Sequence, residues 1–232
     1  MKLYYHPNSP NCVNVLATAN QLGMQLDLQL VDLLKGAQKD PAYLALNPNG
    51  RVPTLADGDF ILWESNAIMQ YLAGKKPGNS LWPVDDRARA DVSRWQFWQA
   101  FHWTRATGTL VWENMVKRFL NAGAPDPAKI KEAEDLFHSL AAVLDGHLKS
   151  RDYLVGSQPT LADFSVAAPL IYPNPAASRW KSTEIFAPGM DASKSSTRGR
   201  KRCRLECRVD GLKTCCPKRS RSENEGRMNY ES

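Results

Sequence analysis

Residues 47–66 constrain the fold of this chain more than any other stretch. Asn47-Pro48-Asn49-Gly50-Arg51-Val52-Pro53-Thr54-Leu55 runs on through Asp57-Gly58-Asp59 to Trp63-Glu64-Ser65-Asn66. An Asp-Gly step between two apolar runs predicts a β-hairpin, because both residues tolerate the positive φ of a tight turn. Pro53 cannot donate to a sheet ladder, so it belongs at a strand start or an edge. A Val-Pro bond at such a place is a candidate for the cis form. Held that way, Val52 turns its backbone N–H and C=O outward, free to pair with a peptide-like ligand. Glu64-Ser65 then opens a helix, where a hydroxyl and unpaired amides suit a carboxylate. Each piece alone has a plain structural reading, as an edge proline or a capping serine. Their order is what points to a site.

In that order the pieces resemble the glutathione transferase family, whose thioredoxin-like domain holds glutathione. The resemblance implies an α/β thioredoxin-like N-terminal domain followed by an all-α C-terminal domain. It also implies that Val52 and a cis-Pro53 meet the cysteinyl unit, and that Glu64 and Ser65 hold the γ-glutamyl end. Gln38, in Gly36-Ala37-Gln38, resembles a glycine-end contact of the bacterial nu-like branch. Arg51 either adds charge near a glutathione carboxylate or is a solvated loop arginine.

A chain of 232 residues can bury a real core in one large or two small domains. Its apolar share of 43% is that of an ordinary globular protein. No apolar run reaches the ~18 residues of a membrane span. The chain opens directly on the strand-like Lys2-Leu3-Tyr4-Tyr5 without a signal-peptide layout, so a cytoplasmic home is expected. The net charge of +6 hints at nucleic acid, but its location weakens the hint. Through Trp180 there are 17 basic and 17 acidic residues, and from Lys181 onward 13 and 7. Cys12 stands alone in the body, whereas Cys203, Cys207, Cys215 and Cys216 lie in the tail.

Taken in order, the apolar spacing predicts a strand over 1–5, a helix over 11–22 and a strand over 25–31. A short helix over 41–46, the hairpin and a helix from Ser65 to about Gly74 follow. This β-α-β-α-β-β-α order is the thioredoxin-like arrangement that the resemblance requires. The expected domains are 1–76 (glutathione-binding), a linker at 77–84, an incomplete helical domain at 85–177, and a disordered basic tail at 178–232. Within the helical domain a long helix is predicted from Asp85 to about Asn121 and another from Pro127 to about Lys149. The second carries Ile130, Ala133, Leu136, Phe137, Leu140 and Leu144 on one face. Thr160 and Asp163 form a capping-box pair before a buried helix, a structural assignment.

Chemistry on glutathione needs a thiolate, and a free thiol has a pKa of about 8.5. A donor at a helix N-terminus favours the anion by hydrogen bond and dipole together. Ser9 is the expected main donor, with Asn11 assisting. Tyr-Tyr-x-Pro-x-Ser resembles the theta/delta type, and Ser9-Pro10-Asn11 the nu type. Tyr5 and Cys12 are the rivals, the first read as a core residue and the second as a buried inert thiol. The second substrate is expected against the long helix, with His102, Trp103, Arg105 and Trp112 as candidates. The implied reaction is attack of the glutathione thiolate on a small electrophile by a homodimer, with glutathione as co-substrate and no metal. The alternatives are glutathione-dependent disulfide reduction and a non-catalytic interaction module.

The resemblance stops near residue 175. Ser178 to Ser193 admits a back-translation in which skipping two bases gives Pro-Leu-Glu-Ile-Tyr-Arg-Asp-Phe-Arg-Ala-Trp-Tyr-Gly-Arg-Leu, an amphipathic helix of the kind the family places there. This suggests a frameshifted ending. The rival readings are a basic arm at Arg198-Gly199-Arg200-Lys201-Arg202 that neutralises phosphates, and a zinc site among the four tail cysteines. The cysteine spacing speaks against the second.

Overall fold

The computed structural model describes residues 1–171. The expected domain end at 177, the basic tail with its cysteines, and the frameshifted ending all lie outside the described residues.

The first half is a β-α-β unit followed by a β-β-α unit. β1 (Lys2–Tyr5) and β2 (Asp27–Leu30) pair in parallel, and α1 (Pro10–Gln21) makes the crossover between them. Pro10 sits in the first turn of α1, where its missing N–H would have had no intrahelical partner anyway. Two 3₁₀ turns (Leu33–Lys35 and Ala37–Lys39) and the short α2 (Pro41–Leu44) lead to the hairpin. Its strands are β3 (Thr54–Asp57) and β4 (Phe60–Trp63), and α3 (Ser65–Gly74) follows at once. The sheet order is β2-β1-β3-β4, with β3 antiparallel to both neighbours. Leu3 and Leu55, directly opposite each other on β1 and β3, are fully buried. They share a core with Val15 and Ala19 of α1 and Ile68, Met69 and Leu72 of α3. Each such side chain contributes about 1.5–3 kcal/mol by leaving water.

The second half is one long helical run and two partners. α4 (Asp86–Trp98) passes through a π turn (Gln99–Trp103) into α5 (Thr104–Val111). A second π turn (Trp112–Val116) leads to α6 (Lys117–Leu120), and Asn121 closes the run at φ 51°. Each π turn adds a residue to the helix and so rotates the succeeding turns by about 100°. α7 (Pro127–Leu148) and α8 (Leu161–Ala167) pack alongside. Trp103 is fully buried, stacks between Trp98 and Phe137, and donates its indole N–H to the Val166 carbonyl at 3.1 Å.

Both halves share one core, and a buried polar layer fixes their relative position. Gln96 of α4 bonds Gln70 of α3 at 2.6 Å, and Asn66 of α3 donates to the Gln96 carbonyl at 3.1 Å. Ser165 of α8 donates to the Asn66 side-chain oxygen at 2.8 Å. The linker is tied down as well: Leu81 is buried, and its carbonyl accepts the Leu161 N–H at 3.0 Å.

The capping box at the start of α8 is present. The Asp163 carboxylate accepts the Thr160 N–H at 2.8 Å and the Leu154 N–H at 3.0 Å, so it joins α8 to the preceding loop. Truncation leaves two buried donors without partners. Asp163→Ala is therefore expected to cost about 2–4 kcal/mol in urea denaturation, with Asp163→Asn milder. A loss below ~0.5 kcal/mol would contradict this role.

Candidate functional site

The sheet register assembles the site. Tyr4 pairs with Thr54, and Thr54 with Trp63. One residue further on, Tyr5, Pro53 and Glu64 come into line at a single end of the sheet. The next residues of these three strands are the His6–Ser9 turn, the 47–52 loop and the start of α3.

The loop is held by its own side chains. Tyr43 donates its hydroxyl to the Arg51 carbonyl at 2.6 Å, and the Asn47 amide donates to the same oxygen at 2.8 Å. Both also reach the Thr54 hydroxyl, at 2.9 and 3.1 Å. Asn47 is 2% exposed, so these bonds are sheltered from water. Gly50 lies at φ 58°, and a Cβ there would sit 3.0 Å from the Gln38 carbonyl oxygen. Only glycine satisfies both the turn and that close approach. The Val52–Pro53 peptide is cis, in agreement with the expectation from sequence. Among the described residues nothing hydrogen-bonds the N–H or C=O of Val52.

A groove of about 590 Å³ opens over this loop. One side carries His6, Ser9, Gln38, Arg51 and Val52; the other is an apolar wall of Met115, Val116, Phe119 and Leu120. Ser9 caps α1, its hydroxyl oxygen accepting the Cys12 N–H at 3.4 Å. The hydroxyl proton is thereby left for an acceptor in the groove. Gln38 has a buried amide oxygen with no partner, and the exposed Arg51 guanidinium has no ion-pair partner among the described residues. Glu64 lies beyond the groove lining, at φ 71° and ψ 113°, where a non-glycine residue is strained. Ser65 is buried as the first residue of α3, and no side chain caps that helix. Its N-terminal amides thus stay available to an anion.

Cys12 is fully buried, and burial pushes its thiol up to about 11 against smaller opposing effects from Ser9 and the His6 N–H. Burial and this raised pKa both disfavour its thiolate. Asn11 is half-buried in the first turn of α1 and does not line the groove, whereas Ser9 does. Tyr5 packs among Cys12, Val31 and Tyr43 rather than into the groove.

None of the second-substrate candidates lines the groove. Trp103 is core, Arg105 pairs with Glu132 on the surface at 3.6 Å, and His102 and Trp112 are exposed away from the groove. The apolar wall of the groove comes from a later stretch of the same helical run. Its signal in the sequence is Met115/Phe119 and Val116/Leu120, two apolar pairs at i, i+4 spacing.

Family comparisons agree with this geometry. The model of the glutathione S-transferase N-terminal domain matches residues 1–74, and that of the C-terminal domain matches residues 127–180.

The chain belongs to the glutathione S-transferase family. Glutathione S-transferase 3 of Zea mays is 38% identical over 165 residues, which are 70% of this chain and 73% of that protein. Glutathione S-transferase theta-2B of Homo sapiens is 35% identical over 156 residues, 67% of this chain and 64% of that protein. Among solved structures, glutathione transferase F7 from Populus trichocarpa has a TM-score of 0.71 at 30% identity, covering 76% of this chain and 85% of its own. Human glutathione transferase theta-2, in complex with glutathione and an unknown ligand, has a TM-score of 0.73 at 30% identity, covering 91% and 81%.

In this transferase a buried ion pair holds the apolar wall. Glu113, at 1% side-chain exposure, accepts the Lys117 ammonium at 2.5 Å and the Asp126 N–H at 2.8 Å. The clip joins the second π turn, which carries Met115 and Val116, to the loop before α7. The Lys117 bond, then the Asp126 amide, hold the Glu113 carboxyl below the usual range. A carboxyl depressed by folding contributes stability that is complete above its unfolded pKa, about 4.3, and lost as pH falls through the folded value. Glu113→Gln cannot titrate, so its stability should fall less steeply than that of the parent below about pH 4.3. Urea denaturation across that range measures it, and parallel acid limbs would contradict the clip.

Proposed function

We propose that this protein conjugates glutathione to small apolar electrophiles. The observation that carries the reading is the groove itself. Ser9 at the α1 N-terminus, the unpaired backbone of Val52, and Gln38 and Arg51 face an apolar wall across one volume. Glutathione would lie with its cysteinyl amide on Val52 beside Pro53, its glycyl end toward Gln38 and Arg51, and its γ-glutamyl end toward Glu64 and Ser65. The free amides of α3 suit the γ-glutamyl carboxylate, and Glu64 suits its ammonium.

The thiol releases its proton to solvent because the Ser9 O–H and the positive end of α1 stabilise the anion. Sulfur then attacks the electrophilic carbon of a substrate laid against Met115, Val116, Phe119 and Leu120. The leaving group departs with its electron pair. Holding both reactants in one groove supplies much of the acceleration. Disulfide reduction through a protein thiol is disfavoured, since Cys12 is buried and its pKa is raised. A purely structural module has no use for so many open polar groups converging on one volume.

A homodimer is supported by exposed aromatic side chains on two elements, Phe60 and Trp63 on the edge strand β4 and Phe97 and Phe101 along the long helical run. No described helix is long and apolar enough to cross a membrane. Among the described residues no group of three or more His, Cys, Asp or Glu could hold a metal ion. A cytoplasmic setting suits a reaction that consumes reduced glutathione.

Ser9→Ala tests the reading. We expect kcat to fall about 10²-fold and the pKa of bound glutathione, read from thiolate absorbance, to rise toward the free-thiol value of about 8.5. Cys12→Ala should leave turnover within about threefold. Activity that survives Ser9→Ala and disappears with Cys12→Ala would overturn the assignment.

A further inference from the structure

We propose that His6 donates its Nε2–H to the oxygen on which negative charge develops when the thiolate adds to an electrophile, so that the groove favours α,β-unsaturated carbonyl compounds. The proposal rests on the reading of this groove as a glutathione site.

Ser9 donates its backbone N–H to the His6 carbonyl at 3.0 Å, closing a four-residue turn. Such a turn brings its first and last Cα atoms within about 7 Å. The imidazole and the Ser9 hydroxyl therefore enter the groove at the same end, and both line it. The His6 Nδ1 accepts the Asn8 N–H at 3.2 Å. A neutral imidazole that accepts at one nitrogen carries its proton on the other, which makes Nε2 a donor. Among the described residues nothing accepts from it. Burial lowers the pKa of His6, with the Asp32 carboxylate opposing, which favours the neutral ring.

Elimination among the donors leads to the same residue. Ser9, Gln38, Arg51 and the Val52 backbone are occupied by glutathione in the proposed pose. Of the other polar residues lining the groove, Asn8 is exposed and already has a partner, which leaves His6. Around it stand Leu33, Leu34 and the Met115–Leu120 wall, an apolar setting in which one oriented N–H acts more strongly than in water. An alkyl halide does not need such a donor, because its leaving group departs outward as a solvated anion. An enone does need one. Sulfur forms a bond to Cβ, the C=C pair shifts toward the carbonyl carbon, and the C=O pair moves onto oxygen. That enolate oxygen accepts from Nε2–H. Solvent then protonates Cα, which balances the proton lost when the thiol ionised.

The test compares the parent with His6→Gln, His6→Ala and His6→Leu at saturating glutathione, using an aryl enone and a benzyl halide, with the bound-thiol pKa read from thiolate absorbance. We expect His6→Leu and His6→Ala to lower kcat/KM for the enone about 10–100-fold. Benzyl halide turnover should stay within about threefold and the thiol pKa unchanged. His6→Gln, which keeps an N–H, should recover most of the enone rate. Equal losses on both substrates, a raised thiol pKa, or failure of His6→Gln to exceed His6→Ala would overturn the role of His6 and leave the glutathione reading standing. A parent enzyme that turns over neither substrate and does not lower the pKa of glutathione would overturn both.

Discussion

The Arg51 carbonyl accepts hydrogen bonds from Tyr43 and Asn47 together, and that double anchor holds the 47–53 loop in the shape the groove requires. With this oxygen satisfied from behind, the N–H of the same Arg51–Val52 peptide points the opposite way, to the open side, and both it and the Val52 C=O are unpaired among the described residues. The same two side chains grip Thr54, so the loop is fixed to the first residue of β3 and moves only with the sheet. Gly50 completes the arrangement by letting the loop press against the turn that carries Gln38. Shared buried bonds of this kind stabilise one conformation cooperatively, and loss of either partner leaves a polar group stranded.

Around that loop the register of three strands brings together elements far apart in sequence. The turn after β1 brings His6 and Ser9, and the start of α3 brings Glu64 and Ser65. The helical half supplies the opposite, apolar wall. Its position depends on a π turn and on the Glu113–Lys117–Asp126 clip, since the added residue rotates Phe119 and Leu120 relative to a straight α-helix. The groove therefore has a polar side set by the sheet and an apolar side set by the helices. The Asn66–Gln96–Ser165 layer keeps the two in register.

Much of this was legible in the sequence, for local reasons. Asp-Gly between apolar runs, a proline at a strand start, and serine before a Pro-led helix each encode a backbone conformation within a few residues. The hairpin and the candidate cis Val52–Pro53 peptide could accordingly be read directly, and Ser9 could be placed at the start of α1. The apolar wall could not. Tryptophans drew attention to 103 and 112, but Trp103 is the packing centre of the helical half, and no periodicity signals where a helix takes an extra residue. Asn11, two residues past the serine, was equally ambiguous, because Ser9 lies outside the helix as its cap while Asn11 lies in its first turn, and their directions are set by different backbone conformations. His6 carried no sequence signal at all. Its role emerges only from the turn that folds it beside Ser9 and from the amide that occupies its Nδ1.

The central claim is that one groove holds a tripeptide thiol against Val52 with its sulfur at Ser9. A crystal structure of the glutathione complex tests it most directly. The account predicts sulfur about 3.0–3.5 Å from the Ser9 hydroxyl and the cysteinyl backbone paired with both polar groups of Val52. Glutathione seated elsewhere, or with its sulfur turned toward Cys12 and the Val52 backbone still unpaired, would contradict it.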